Sequence, residues 1–112
     1  MPNIRYVKKN IVYFKSSLDR EKGTSIFIEF FRDIIAAKVQ AGREMKGHMI
    51  LQSISNPNES IVLTFWETKE EMDKFYSPDN KLLADLVERV KPLFETMPER
   101  SDYTLSAAVL LS

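Results

Sequence analysis

The stretch IVLTFWETKEEM, residues 61–72, decides the fold that this sequence predicts. Five of the six residues from Ile61 to Trp66 are apolar, and most are β-branched or aromatic, which is typical of a strand. Its alternating sets are both largely apolar: Ile61, Leu63 and Phe65 on one face, and Val62, Thr64 and Trp66 on the other. A half-exposed strand would alternate with charged residues, so we expect this strand to be covered on both faces.

The residues directly after Trp66 predict the start of a helix. Thr68 stands where an N-cap is expected, with Glu71 three residues later as its capping-box partner. A doubly covered strand that turns into a helix indicates a small sheet with helices on one face. A second copy of the chain would then cover the other face.

Length and composition narrow the classes of protein to which the chain can belong. Its 112 residues predict one domain, 1–112, with a core of its own. The absence of cysteine excludes disulfides, cysteine-ligated metal sites and thiol nucleophiles. Sixteen basic and sixteen acidic residues give a formal charge of zero, which argues against a nucleic-acid partner. The apolar runs are too short to span a membrane and no signal-peptide core is present, so we expect a cytoplasmic protein without a membrane partner.

Strand and helix signals along the chain give the order βαββαβ. The predicted strands are residues 4–14, 48–54, 61–66 and about 103–111, and a turn at 56–59 joins the middle two as an antiparallel hairpin. After a polar turn at 16–23, the first helix is predicted from Thr24 or Ser25 to about residue 41. The second helical region begins near Lys69, is interrupted at 77–80 and ends or kinks at Pro92, and residues 97–100 are predicted to form a loop.

This order is typical of the ferredoxin-like α+β fold, a four-stranded antiparallel sheet with two helices on one face. The final predicted strand, like residues 61–66, is apolar on both sides. Two such strands would leave a large apolar patch uncovered in a monomer. We therefore expect a homodimer that forms through the sheet faces.

The chemistry of five side chains suggests a functional role. Trp66 can stack on a planar aromatic molecule and donate its indole N–H, although it can equally be a core residue. His48, the one imidazole, suits base chemistry at neutral pH, but a position at the edge of the sheet explains it as well. Asn10 could orient a substrate carbonyl. Met49 and Met72 suit an adaptable aromatic pocket or simply pack in the core. A single histidine is a weak signal for a metal, and we predict no metal site.

Several of these features resemble the antibiotic biosynthesis monooxygenase family, whose members are dimeric α/β-barrel proteins. They are the order βαββαβ, Gly47-His48 before the second strand, Phe65-Trp66-Glu67-Thr68 at the end of the third, and Met72, Phe75 and Tyr76 in the next helix. The resemblance spans roughly residues 10–110. It implies a homodimer with sheets packed face to face and a pocket between sheet and helices in each subunit. The best-known members oxidise polycyclic aromatic phenols to quinones with molecular oxygen and without metal or flavin. Others degrade haem, act on quinols or have no assigned activity.

Some positions of the cofactor-free oxygenases match this chain and others do not. Trp66 occupies the place of the tryptophan that lines their pocket. Val62 stands where those enzymes carry an asparagine. Leu86 or Val87 stands where they carry an arginine, and Arg89 is the nearest candidate for that role.

The haem-degrading relatives match less well. Asn10 could be their first-strand asparagine, but Phe75 takes the place of their tryptophan. Their iron-ligating histidine would fall near Asp85, in a segment without histidine, and His48 lies on a different element. Haem degradation is therefore the less favoured function.

The sequence and the resemblance together predict a cofactor-independent monooxygenase that oxidises a small aromatic phenol or quinol with molecular oxygen. The substrate would supply the electrons while the pocket excludes water around its anion. The candidate catalytic residues are Trp66, Asn10 and His48, and the candidate substrate-binding residues are Met49, Val62, Met72, Phe75 and Phe31. The alternative is a non-catalytic homodimer that binds a small apolar or aromatic ligand or fills its pocket with its own side chains. A cavity reached by Trp66, Asn10 or His48 would favour the enzyme; a space filled by Phe27, Phe31, Phe75 and Leu86 would favour the alternative.

Overall fold

Four antiparallel strands form one sheet, with the helices packed on one of its faces. The computed structural model describes residues 3–37 and 45–111. The strands are β1 (Tyr6–Tyr13), β2 (Met45–Gln52), β3 (Glu59–Trp66) and β4 (Glu99–Thr104), in the spatial order β2-β3-β1-β4. The helices are α1 (Ser17–Ala37), α2 (Lys69–Phe75) and α3 (Lys81–Val90), and a 3₁₀ turn, Lys91–Leu93, follows α3. The predicted ferredoxin-like α+β fold is confirmed.

Alternation along β3 separates the two faces of the sheet. Val62, Thr64 and Trp66 are buried on the helix side, whereas Ile61 and Leu63 on the opposite side are half-buried. The principal core lies between sheet and helices and includes Val12, Phe14, Phe27, Phe31, Trp66, Met72, Phe75, Leu86, Val90 and Phe94. One face of the sheet thus carries the core, and the other presents partly exposed apolar side chains.

Helix α1 begins earlier than the sequence predicts, so the predicted turn over residues 16–23 is wrong. The hydroxyl of Ser16 accepts a hydrogen bond from the backbone N–H of Asp19 at 3.1 Å, which satisfies a donor of the first helical turn. Gly23 lies inside the helix rather than in a turn. A Cβ added at Gly23 would lie 2.3 Å from Cε1 of the buried Phe14 ring, so this glycine marks close packing.

Two local signals after β3 are confirmed. The hydroxyl of Thr68 accepts from the backbone N–H of Glu71 at 3.2 Å and caps α2. Asn80 caps α3 by accepting from the N–H of Leu82 at 3.2 Å, and its amide nitrogen also donates to the carbonyl of Phe75 at 2.8 Å. The interruption predicted at 77–80 is therefore a hydrogen-bonded junction between two helices.

Strand β4 is displaced relative to the prediction of residues 103–111. It begins at Glu99, within the residues predicted to form a loop, and ends at Thr104. Thr104 lies opposite Tyr6, the first residue of β1, and one further backbone hydrogen bond follows, from the N–H of Leu105 to the carbonyl of Arg5 at 2.7 Å. The chain from 105 to 111 has no regular secondary structure and exposes Val109, Leu110 and Leu111. The apolar pattern of this segment was misleading because no neighbouring strand extends far enough to pair with it.

Strand β2 begins at Met45, before the predicted residue 48, with an irregularity between Met45 and Gly47. The predicted end of the first helix near residue 41 lies outside the described residues. Among residues 3–37 and 45–111, no helix is both long and apolar enough to cross a membrane.

Substituting alanine at Gly23 tests the packing of α1 on β1. Alanine favours a helix over glycine by about 1 kcal/mol, but the added methyl group would overlap the Phe14 ring at 2.3 Å. Overpacking of this kind costs about 1–3 kcal/mol, so we expect Gly23→Ala to lower the free energy of unfolding. The measurement is urea unfolding followed by circular dichroism.

Gly47→Ala is the matched control, because the nearest atom to its added Cβ is Cδ2 of Phe65 at an ordinary 3.6 Å. We expect the free energy of unfolding of this variant to differ from that of the parent chain by less than about 1 kcal/mol. A Gly23→Ala variant as stable as the parent would contradict the packing described for Phe14.

Candidate active site

A small cavity lies between the sheet and the helices. Its volume is about 40 Å³, and its walls include Phe27, Phe31, Val62, Phe75 and Leu86. One water needs roughly 10–15 Å³ of such space, so this inner cavity can hold only a few molecules of the size of water. The aromatic and aliphatic side chains thus fill most, but not all, of the space between the layers.

A wider and more open groove adjoins the inner cavity. Its volume is about 430 Å³, within the range of about 300–1,000 Å³ that is usual for small-molecule sites. Residues of the α2–α3 junction, of α3 and of the segment before β4 line it. The inner cavity and the groove have five lining residues in common: Tyr76, Leu83, Val87, Pro98 and Arg100. These five form a shared wall between the two spaces.

A row of hydrogen-bonded side chains connects the core to this shared wall. The indole N–H of Trp66 donates to Oγ1 of Thr64 at 2.9 Å, and Oγ1 of Thr64 lies 2.9 Å from the phenol oxygen of Tyr76. The amide nitrogen of Asn10 donates to the same phenol oxygen at 3.3 Å. The Nε of Arg100 donates to Oδ1 of Asn10 at 3.1 Å. We call Trp66, Thr64, Tyr76, Asn10 and Arg100 the polar row.

Strand register explains why the polar row exists. In the central strand β1, Asn10 lies opposite Val62 of β3 and opposite Arg100 of β4. The amide of Asn10 also donates to the carbonyl of Val62 at 3.1 Å, which fixes the orientation of the side chain. Thr64 and Trp66 are two residues apart on β3 and therefore share the helix-facing side.

The surroundings of Tyr76 keep its phenol neutral. Burial raises the pKa of Tyr76 above its ordinary value of 10.0, while hydrogen bonds with Thr64 and Asn10 and the charge of Arg100 oppose that rise. The guanidinium carbon of Arg100 lies 5.0 Å from the centre of the tyrosine ring. The ammonium group of Lys8 lies 4.8 Å from the same centre. The ring is therefore held in a positively charged environment.

Four of the predicted site residues line the inner cavity: Asn10, Val62, Phe75 and Phe31. The other four line neither the cavity nor the groove. Trp66 is only 1% exposed, and its indole N–H is bound to Thr64. His48 stacks on Phe31, with ring centres 4.5 Å apart and an interplanar angle of 21°. Met72 is fully buried, and Met49, 45% exposed, lies on the opposite face of the sheet.

Thr64, Tyr76 and Arg100 are not among the residues that the sequence predicts for the site. The sequence predicts a loop over residues 97–100, whereas Arg100 lies in β4. Its relation to Asn10 arises from the pairing of strands that are 90 residues apart, which no local pattern shows. One feature of the sequence points to Tyr76: it follows Phe75 at the end of a predicted helix, directly before Ser77 and Pro78.

Within residues 3–37 and 45–111, no group of three or more His, Cys, Asp or Glu side chains could hold a metal ion.

No protein-family model matches the sequence, and no curated protein matches it. Solved structures do match the fold. A monooxygenase from the gene ActVA-Orf6 of Streptomyces coelicolor, in complex with nanaomycin D, superimposes with a TM-score of 0.74 at 15% identity, over 100% of this chain and 96% of that one. The chain also superimposes on solved structures that are described as antibiotic biosynthesis monooxygenases, with TM-scores of 0.67 and 0.71, and so has their fold.

Two further structures match the fold of this chain. A dimeric ferredoxin-like protein from an uncultured marine organism has a TM-score of 0.72 at 14% identity, covering 97% of this chain and 94% of its own. A mutant of SnoaB, a cofactor-independent oxygenase from Streptomyces nogalater, has a TM-score of 0.66 at 9% identity, covering 96% of this chain and 98% of its own. The resemblance inferred from the sequence is thereby confirmed at the level of the fold.

The single histidine allows a direct test of its environment. Burial lowers the pKa of His48 below its ordinary value of 6.5, because desolvation disfavours the charged imidazolium. The folded chain therefore binds the proton less readily than the unfolded chain. The contribution of neutral His48 to stability is complete above pH 6.5 and is lost as the pH falls from 6.5 through the folded-state pKa.

The proton NMR signals of the His48 ring should titrate below pH 6.5 in the folded chain and near 6.5 in the chain unfolded by urea. As a control, His48→Gln should lose less stability than the parent chain when the pH is lowered from about 7.5 to about 5. A folded-state midpoint above that of the unfolded chain would contradict the burial of the ring.

Proposed function

We propose that the protein is a cofactor-independent monooxygenase that oxidises a small aromatic phenol or quinol with molecular oxygen. One observation carries the proposal: a small apolar cavity adjoins a groove of ligand size across a shared wall. An apolar cavity of a few water volumes is suited to dioxygen, because such cavities do not hold water tightly. The groove is suited to the aromatic substrate.

The reaction requires no external reductant. A phenol with a free ring position opposite its hydroxyl gives a quinone and water: one oxygen atom forms a new carbonyl at that carbon, and the other leaves as water. The C–H and O–H bonds of the substrate are broken, and its four electrons reduce dioxygen. The contribution of the protein would be to exclude water and hold the substrate anion beside oxygen.

Within this proposal Asn10 is the residue that orients the reacting oxygen atoms, because it lines the inner cavity and is itself fixed by three hydrogen bonds. Val62, Phe75 and Phe31 provide the apolar wall. Trp66 would act through Thr64, to which its N–H is bound. His48, stacked on Phe31, would act by fixing that ring.

The structural neighbours support the same type of chemistry. One is described as a monooxygenase in complex with nanaomycin D and another as a cofactor-independent oxygenase. The alternative, a non-catalytic homodimer that binds a small apolar ligand, is favoured by the small volume of the inner cavity, about 40 Å³. Oxygen consumption distinguishes the two.

Anthrone, whose enol form is a phenol, is a suitable probe. In aerobic buffer we expect the chain to consume one dioxygen for each anthraquinone formed, at a rate above that without protein. An oxygen electrode and absorbance follow the reaction.

Val62→Leu adds one methylene to the wall of the inner cavity and should lower the rate about tenfold or more, since oxygen would be displaced from the reacting carbon.

Val109→Leu is the matched control, because Val109 is exposed and lines neither the inner cavity nor the groove. It should leave the rate unchanged. An oxygen consumption equal to that of buffer alone would rule out the oxygenase for this class of substrate and leave the ligand-binding alternative.

We further propose that the chain forms a homodimer through the face of the sheet opposite the helices, which we call the free face. Met49 and Leu51 of β2 lie beside Leu63 and Ile61 of β3 on this face, and Tyr103 of β4 lies on it as well. Met49, Leu51 and Tyr103 are 45–47% exposed, and the adjacent strands β2 and β3 share an apolar surface of the kind that dimers bury.

Analytical ultracentrifugation at micromolar concentration should show a dimer for the parent chain. Leu63→Glu would place a charge in the middle of the interface and should give a monomer. Leu82→Glu, at an exposed leucine of α3, is the control and should remain dimeric. A parent chain that sediments as a monomer would contradict the proposed interface.

A further inference from the structure

The contacts within the polar row leave one hydroxyl proton without an acceptor. Trp66 is a donor only, so Oγ1 of Thr64 must accept from it. Asn10 likewise donates its amide proton to the phenol oxygen of Tyr76. Thr64 and Tyr76 each carry one hydroxyl proton, and a single contact of 2.9 Å joins their oxygens. That contact can use one of the two protons.

The second proton is best placed on Tyr76. Thr64 is 0% exposed and lines neither the inner cavity nor the groove, whereas Tyr76 lines both. If Thr64 donates to Tyr76, the phenol oxygen accepts from both Thr64 and Asn10, and its own proton points towards the open space. This arrangement satisfies each buried donor and leaves Tyr76 as a donor to a ligand.

Arg100 adds further donors at the same wall. Its guanidinium has five N–H groups, and the interaction with Asn10 uses only the one on Nε. No ion pair of Arg100 occurs among residues 3–37 and 45–111. Asp102, two residues away on the strand, is paired with Lys8 at 2.6 Å. Glu88, the acidic residue that lines the groove, lies 3.9 Å from Lys91.

We propose that the hydroxyl of Tyr76 and the terminal nitrogens of Arg100 bind the carboxylate of an aromatic acid whose ring lies in the groove. The planar fork of arginine matches the two oxygens of a carboxylate. The hydroxyl of Tyr76 supplies a third hydrogen bond from the core side. Leu83, Val87 and Pro98 of the shared wall contact the ring. This site lies in the groove that the proposed oxygenase uses for its substrate, but binding of the carboxylate does not depend on any reaction with oxygen.

Anaerobic titration calorimetry with 2-naphthoate and its neutral methyl ester tests the site. Neither compound is a phenol, so the result is independent of oxygenase activity. The parent chain should bind 2-naphthoate about tenfold or more tightly than the ester, because only the anion forms charge-assisted hydrogen bonds. Equal affinities, or no binding of 2-naphthoate at millimolar concentration, would overturn the proposal without any variant.

Two variants locate the binding energy. Tyr76→Phe removes one hydroxyl and Arg100→Gln removes the charge, and each should weaken 2-naphthoate binding about tenfold or more. Arg100→Gln should leave binding of the ester unchanged, and Arg100→Lys should recover part of the naphthoate affinity because it restores the charge without the fork. Circular dichroism establishes that each variant is folded.

Tyr13→Phe and Arg32→Gln are the matched controls. Both residues lie outside the inner cavity and the groove, and both changes remove the same chemical groups as the test variants. They should bind 2-naphthoate like the parent chain. Test variants that bind as tightly as these controls would show that Tyr76 and Arg100 do not hold the carboxylate.

Discussion

Pairing of the central strand β1 with β3 on one side and β4 on the other is the constraint on which the site depends. It places Asn10 between Val62 and Arg100, and it lets one amide bridge all three strands. A shift of one residue in either ladder would turn Asn10 or Arg100 to the opposite face of the sheet. The register therefore determines both the structure of the core and the chemistry of the groove.

Features encoded by neighbouring residues could be predicted from the sequence. The largely apolar run that ends at Trp66 predicts β3, and Thr68 with Glu71 predicts the start of α2, because a strand face and a helix cap each depend on a few adjacent side chains. Asn10, Val62, Phe75 and Phe31 line the inner cavity for a related reason: the face of a strand or helix on which a residue lies follows from the periodicity of that element.

Features that depend on distant partners could not be predicted in the same way. Gly23 resembles a turn residue until the Phe14 ring occupies the space where its Cβ would be. The apolar residues 107–111 resemble a strand, but β1 is too short to pair with them. Arg100 becomes part of a site only through the register of β4. Each case concerns a contact between segments far apart in the chain, and local propensity contains no information about it.

Trp66 has a different significance in the structure from the one that its sequence context suggested. It does not contact the open spaces, yet its indole N–H holds Thr64 in place, and Thr64 in turn contacts the phenol of Tyr76. The chain contains no other tryptophan. A ligand that accepts the proton of Tyr76 polarises this row of hydrogen bonds as far as the indole ring. The protein thus contains an intrinsic fluorophore coupled to its groove, and its emission connects occupancy of the site to an optical signal that needs no label.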